Sequence, residues 1–233
     1  MAEQIKSKQR VAEHGEVFTA EREVNAMLDL VRQETERIDS RFLEPACGTG
    51  NFLVEILRRK LLLVRSDCEM MQAVCSIYGI DILQDNVEEC RERLLNVIEK
   101  NYRKLEGDLL ATVEYVLKRN ILWGDALTLC TPEVSTPSLG PLPPPSPLGR
   151  EPLRCREGAP SGEGAPIVFS EWGFIGQAVK RRDFTLDMLL RPRSFDGPSL
   201  FDELGDEVFV PEPCAEYPML NYDKLYTQDA ADQ

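Results

Sequence analysis

Three acids each close a short apolar run. Glu44 follows Phe42-Leu43, Asp81 sits near the end of Ser76-Ile-Tyr-Gly-Ile-Asp-Ile82, and Asp125 lies in Asn120-Ile-Leu-Trp-Gly-Asp-Ala-Leu127. Just after the first acid come Gly48 and Gly50, one residue apart, and then an apolar-striped segment. Glycines let a backbone take φ > 0 and approach a ligand closely, and the N-terminus of a following helix offers unpaired N–H groups. A strand, a glycine turn and a helix in that order make a nucleotide-site geometry. The surrounding residues choose the ligand's charge. A dinucleotide fingerprint needs a third glycine three residues after Gly50, and that position is Leu53. Glu44 at the loop's start would repel a pyrophosphate and suits a cationic ligand. Asp81, ending the next strand, is placed to accept the two hydroxyls of a ribose.

The elements that must hold these residues follow from periodicity. Phe52, Leu53, Ile56 and Leu57 fall on one face of a helix running from Asn51 to about Val64. A second helical stretch with Met70, Met71 and Val74 leads into the strand that ends at Asp81. From Leu83 to Lys100, Val87, Cys90, Leu94, Val97 and Ile98 point inward while Glu88, Glu89, Arg91, Glu92 and Arg93 make a solvated face. A further helix covers Asp108 to Lys118, before the strand at Asn120. Upstream, Thr19 reads as an N-cap, with Glu21 and Glu23 in the first turn and an apolar stripe of Val24, Met27, Leu28 and Val31. Residues 1 to 12 read as a frayed polar segment. The whole is a β-α-β-α-β series, and the fold class expected is α/β.

The stretch Glu44-Pro-Ala-Cys-Gly-Thr-Gly-Asn-Phe52 closely resembles motif I of S-adenosyl-L-methionine (SAM)-dependent N6-adenine DNA methyltransferases. Gly15, Phe18 and Thr19 are similar to that family's motif X, with Ala20 where the family carries proline; Asp81 with Ile82 matches motif II; and Gly124-Asp125-Ala126-Leu127 resembles motif III. Phe169-Ser-Glu-Trp172 and Arg181-Arg-Asp-Phe184 look like segments of Eco57I-like restriction–modification methylases. The resemblance implies a partial Rossmann-like methyltransferase fold with a mostly parallel sheet. It also implies a SAM site made by Phe18, Thr19, Glu44, Pro45, Ala46, Cys47, Gly48, Gly50, Asp81, Ile82, Asp125, Ala126 and Leu127. In it Glu44 faces the methionine moiety, Asp81 the ribose and Asp125 the adenine.

The family's base-holding motif IV, Asn/Asp-Pro-Pro-Tyr/Phe, is missing: the adjacent prolines are Pro143-Pro144-Pro145, preceded by Leu142. No catalytic residue is therefore assigned to this chain, and no metal ligands. The expectation is the SAM-binding portion of a site-specific adenine-N6 DNA methyltransferase of a restriction–modification system. A partner chain would carry motif IV and target recognition. The rivals are a non-catalytic SAM-binding assembly subunit and a truncated remnant.

Bulk properties fit such a division. The formal net charge of −13 over 233 residues argues against a chain that grips DNA by itself. The organisation expected is an N-terminal helical segment over 1–40, a SAM-binding core over 41–130, a proline-rich linker over 131–166 and an extension over 167–233. Within the extension, Ile167 to Phe174 reads as a strand, and Lys180-Arg-Arg182 as a surface basic cluster. The stretch from Ser199, with Phe201, Leu204, Val208, Phe209 and Val210, reads as a poorly packed tail. Seven cysteines without a C-x-x-C pair predict buried reduced thiols. No apolar leader and no span of membrane length stand out, so a cytoplasmic protein without membrane contact is expected.

Overall fold

A run of apolar and β-branched residues that must be buried on both faces sets the centre of the molecule. In the computed structural model, which describes residues 5–102, 105–132, 164–190 and 211–230, that run is strand β2 (Ile77–Asp81), buried at every position. It pairs in parallel with β1 (Phe42–Glu44) on one side and β3 (Ile121–Trp123) on the other, so the order is β1-β2-β3. The chain is mixed α/β, with a three-stranded parallel sheet and helices.

The connections carry the helices. α4 (Asn51–Leu61) and α5 (Asp67–Cys75) join β1 to β2, and α6 (Gln84–Asn101) and α7 (Gly107–Asn120) join β2 to β3. Successive strand residues face opposite ways, and β2 displays both sides. A Cβ at Gly79 would stand 2.8 Å from Leu53 of α4, while the Tyr78 ring meets Phe169 edge-on at 5.5 Å on the other face. α4 ends three residues earlier than Val64, at Leu61, followed by a turn. Near its end, fully buried Lys60 donates to Ile38 O at 3.1 Å and Ser76 Oγ at 2.6 Å, and also to Ser40 O. It ties the entry of β1 to that of β2.

From residue 5 on, the amino-terminal segment holds a capped helix where fraying was expected over 1–12; residues 1–4 lie outside the described residues. α1 (Lys8–His14) is capped by Ser7, whose Oγ accepts from Arg10 N at 3.1 Å. Lys6 and Arg10 reach the acids of α6, at 2.7 Å to Glu89 and 2.6 Å to Asp85. Charges that look solvated in the sequence are each other's partners. α2 (Glu21–Leu30) has Ala20 at its N-cap with no side-chain cap, not Thr19. Thr19 instead accepts from Asn51 Nδ2 through its carbonyl, at 3.0 Å. Only half of α2's apolar stripe is covered: Val24 and Leu28 are buried, whereas Met27 is 54% and Val31 44% exposed. A short α3 (Arg32–Thr35) follows.

The second unit is antiparallel. β4 (Val168–Ile175) and β5 (Ala178–Thr185) form a hairpin around Gly176-Gln177, and β5 also pairs β6 (Ala215–Glu216) and β7 (Leu220–Asn221). α8 (Leu186–Leu190) follows β5, and a 3₁₀ helix spans Leu225–Ala230. Of the basic cluster expected at the surface, Arg182 is exposed and Lys180 half-buried, and only Arg181 departs. Arg181 is fully buried inside β5, donating to Asp183 at 2.5 and 2.8 Å, to Tyr115 OH at 2.5 Å and to Asp229 at 2.9 Å. The ends of the proline-rich segment meet: Thr131 N donates to Ala165 O at 2.8 Å and Ile167 N to Leu129 O at 2.9 Å. Residues 133–163 lie outside the described residues, as does the 191–210 stretch containing Phe201, Leu204 and Val208 to Val210.

Five cysteines, Cys47, Cys68, Cys75, Cys90 and Cys214, are free thiols. Cys130 departs from the reduced-thiol expectation and is disulfide-bonded. Among the described residues no helix is long and apolar enough to cross a membrane.

Candidate functional site

Parallel pairing brings the three acids to one edge. In the ladder Glu44 is opposite Gly79 and Asp81 opposite Trp123, so Glu44, Asp81 and Asp125 all lie at the carboxyl ends of neighbouring strands. Their spacing follows from strands about 4.8 Å apart. Two backbone bonds and one indole bond lock the edge. Cys47 N donates to Ile80 O at 2.8 Å, Gly124 N to Asp81 O at 3.0 Å, and Trp123 Nε1 to Ile82 O at 2.9 Å.

The glycine loop depends on its glycines. Gly48 has φ +52° and Gly50 +86°, the left-handed region that side chains avoid. A Cβ on Gly48 would stand 3.2 Å from Cε1 of Phe18, so the Phe18 ring lies against the loop. A Cβ on Gly50 would stand 2.5 Å from Cys90 Sγ. Gly50 N donates to Cys47 O and Val54 N to Gly50 O, both at 2.8 Å, which starts α4 directly from the turn. Pro45 and Ala46 are exposed, and Cys47 is buried. A hydrogen bond to Cys90, then burial, pushes the Cys47 thiol far above its usual range, so it stays neutral.

Asp81 links the loop to the second strand. Its Oδ2 accepts from Gly48 N at 2.8 Å; its Oδ1 accepts from Leu83 N at 2.9 Å and Asn86 Nδ2 at 3.2 Å. An ionised carboxylate has about four acceptor directions. Three are used within the chain, so one is left for a ligand hydroxyl rather than the two that a ribose grip expects. Asp125 caps its own turn, its Oδ1 accepting from Leu127 N at 2.8 Å. Next to it Ala126 is half-buried and Leu127 exposed, while Ile82 is exposed beside Asp81. Glu44 is half-buried, and burial lifts its carboxyl pKa against the opposing Ala46 N–H.

Sequence reasoning missed the residues that brace this edge. Buried Asn86 also donates to Glu16 Oε1 at 2.7 Å, and Arg10 lies 2.7 Å from Glu16 Oε2. This chain of contacts anchors the segment before Phe18 to Asp81. Arg93, read as part of a solvated face, donates to Thr49 O at 2.6 Å, Thr49 Oγ1 at 2.8 Å and Asn51 Oδ1 at 2.8 Å. Arg91 likewise turns inward, to Ile121 O at 3.0 Å. The only available signal was position: Asn86 lies in the first turn of the helix that Asp81 precedes.

An open cavity of about 200 Å³ is lined by Glu44 together with Met27, Leu28, Val31, Phe42, Leu43, Phe52, Leu53 and Ile56. Its lining is apolar apart from Glu44, and Asp81 and Asp125 are not part of it. Among the described residues no group of three or more His, Cys, Asp or Glu side chains is arranged to hold a metal ion. Comparison of the chain with family models, with curated proteins and with solved structures finds no match in any of the three.

Proposed function

We propose that this chain is the SAM-binding portion of a site-specific adenine-N6 DNA methyltransferase, with a partial Rossmann-like methyltransferase fold. One observation carries the reading. Asp81 accepts from Gly48 N at 2.8 Å while Phe18 lies against Gly48, so three separately recognised stretches meet at the carboxyl edge of one parallel sheet. That edge is where open α/β sheets bind their ligands. The residues suit a cation-bearing nucleoside. Glu44 supplies a negative charge beside the loop, Asp81 keeps one acceptor direction, and Ile82 with Leu127 offers exposed apolar surface next to Asp125 for an adenine face.

When bound, SAM would supply the methyl group, leaving as a neutral thioether as the carbon–nitrogen bond to adenine N6 forms, and the proton released from N6 would pass to solvent. This chain's contribution is to hold and orient. Glu44 offsets the cofactor's positive charge, and the Gly48–Asp81 bond fixes the loop against β2. Holding the adenine amine falls to the motif IV of a partner chain, and DNA binding to that partner also, in keeping with the net charge of −13.

Calorimetric titration with SAM tests the reading. Glu44→Gln is expected to weaken binding about tenfold or more, the loss of one charge-assisted contact worth about 1.5–3 kcal/mol. A cation favours the ionised carboxylate, so wild-type affinity rises with pH through a Glu44 pKa that lies above the usual 4.5, and the variant lacks that dependence. No heat at millimolar SAM overturns the reading. A labelled-methyl assay on DNA, with and without the partner, separates an enzyme half from a non-catalytic assembly subunit.

A further inference from the structure

We propose that Asn51 is a positioning residue of the SAM site: its side-chain amide, oriented by Arg93, clasps Thr19 and so holds the strap carrying Phe18 down on the glycine loop. The inference rests on the methyltransferase reading and adds to it the groups that keep the cofactor from leaving.

Residues 15–20 form neither helix nor strand, and within the described residues 16–19 make no backbone–backbone hydrogen bond. No ladder or helical turn therefore fixes this strap. Side chains hold it instead. At one end Asn86 Nδ2 donates to Glu16 Oε1 at 2.7 Å, and at the other Asn51 Nδ2 donates to Thr19 O at 3.0 Å. Between these two clips Val17 is exposed and the Phe18 ring lies against Gly48.

Asn51 opens α4, yet its amide does not cap that helix: the N-cap is Gly50, with no side-chain bond. Both ends of the amide reach across the fold. Its Oδ1 accepts from Arg93 of α6 at 2.8 Å, while its Nδ2 serves Thr19. Chemistry fixes that orientation. A guanidinium can only donate and a carbonyl can only accept, so an amide meets both in one way, whereas a carboxylate would set oxygen against oxygen at Thr19. The same Arg93 nitrogen donates to Thr49 O at 2.6 Å and Thr49 Oγ1 at 2.8 Å. One guanidinium thus holds the loop between its two glycines and aims the latch. Asn86 repeats the arrangement: its Oδ1 accepts from Lys6 at 2.9 Å and Arg10 at 3.2 Å, and its Nδ2 turns to the strap. Two amides, each with its oxygen held by cations and its nitrogen given to the same segment, close the strap from both ends. A ligand beneath a closed strap leaves when the strap lifts, so the latch acts on dissociation.

The test is Asn51→Asp in the full chain. The carboxylate keeps the Arg93 contact, and an acid in the first turn favours α4, so what the variant loses is the donor to Thr19. The SAM off-rate, read by chasing labelled SAM, is expected to rise about fivefold, the weight of one neutral hydrogen bond. The on-rate should change little, and the nuclear Overhauser contact between the Phe18 ring and the Gly48 α-protons should be lost. Arg93→Met should raise the off-rate as well, and Arg93→Lys, which keeps a donor, should recover part of it. Because both residues act through one amide, the double variant Asn51→Asp with Arg93→Met should be no faster than Arg93→Met alone. An unchanged off-rate in Asn51→Asp, or additive effects in the double variant, overturns the proposal. So does a faster off-rate with the Phe18–Gly48 contact intact, which would make Asn51 a ligand contact and not a latch. If wild type binds no SAM, the cofactor reading fails and the Phe18–Gly48 contact judges the latch: lost in Asn51→Asp it stands, retained it falls.

Discussion

The carboxyl edge of the parallel sheet and the β4–β5 hairpin are built on opposite principles. At the sheet edge the chain is held by backbone bonds, two left-handed glycines and one carboxylate, Asp81, that serves three N–H donors. In the hairpin a fully buried guanidinium sits between two carboxylates, Asp183 and Asp229, with the Tyr217 ring 3.8 Å away. Burial works against the charge on Arg181, but the hydrogen bonds and field of Asp183 outweigh it and hold the guanidinium protonated. A backbone-built edge can admit a ligand by exchanging hydrogen bonds one at a time. A buried ion cluster cannot lose one member without stranding the rest. The first arrangement suits a binding site, and the second a clamp that fixes β5, α7 and the 3₁₀ helix together.

The largest expected effect therefore lies away from the candidate site. Arg181→Met leaves buried Asp183 without its guanidinium, while the partly exposed Asp229 keeps its pair with Arg119, and breaking a buried pair in this way costs about 3–5 kcal/mol. Urea unfolding should show that loss. Adding Asp183→Leu should recover part of it, because the stranded charge is removed. Full recovery is not expected, since Tyr115 and Ser170 also lose their partners. A loss below about 1 kcal/mol for the single variant, the scale of a surface pair, would show that water reaches Arg181 and erase the contrast.

The same contrast explains what was legible in the sequence. The glycine loop, the three strand-end acids and the β-α-β-α-β order were readable because each depends on residues near one another in the chain, and periodicity marks helices whose one face is buried. Arg181 was not: its partners Tyr115 and Asp229 are far away in sequence, and Lys-Arg-Arg in isolation reads as solvent-facing. Arg10, Asn86 and Arg93 were missed for the same reason. α2 shows the converse failure. Its stripe of Val24, Met27, Leu28 and Val31 was correctly seen as apolar, yet periodicity cannot reveal that this chain supplies cover for only half of it.

An intermediate effect belongs to the loop. Gly50→Ala adds a Cβ at φ +86°, a left-handed strain of about 1–2 kcal/mol, and places it 2.5 Å from Cys90 Sγ. Combining it with Cys90→Ala removes the clash and leaves the strain, so the double variant should regain only the steric part of the lost stability. SAM titration is expected to fall with Gly50→Ala in either background, because the loop's backbone path changes. Complete rescue by Cys90→Ala would mean that the site needs space at Gly50 and not its conformation.

The smallest effect sharpens the comparison most, because it probes charges at the sheet edge that are not buried. Asp85 accepts from Arg10 and Lys6, and those bonds, Arg10's foremost, pull its pKa down to about 2. Its side chain is 54% exposed, so solvent screening limits the pair to about 0–1 kcal/mol. The sign follows from linkage. A depressed carboxyl contributes stability that is fully present above its unfolded pKa near 3.8 and is lost as pH falls through about 2. Acidification through that window should loosen α1 from α6 before the core unfolds, seen as faster exchange at the Arg10 and Val11 amides. Asp85→Asn should give that looseness at neutral pH with little change in global stability. Because Asn86 carries the segment's contact on to Asp81, the variant should also weaken SAM slightly. If α1 loosens and SAM affinity does not change at all, the Phe18 segment rests on the loop through Gly48 and Asn51 alone, and the Arg10–Glu16–Asn86 chain has no part in the site.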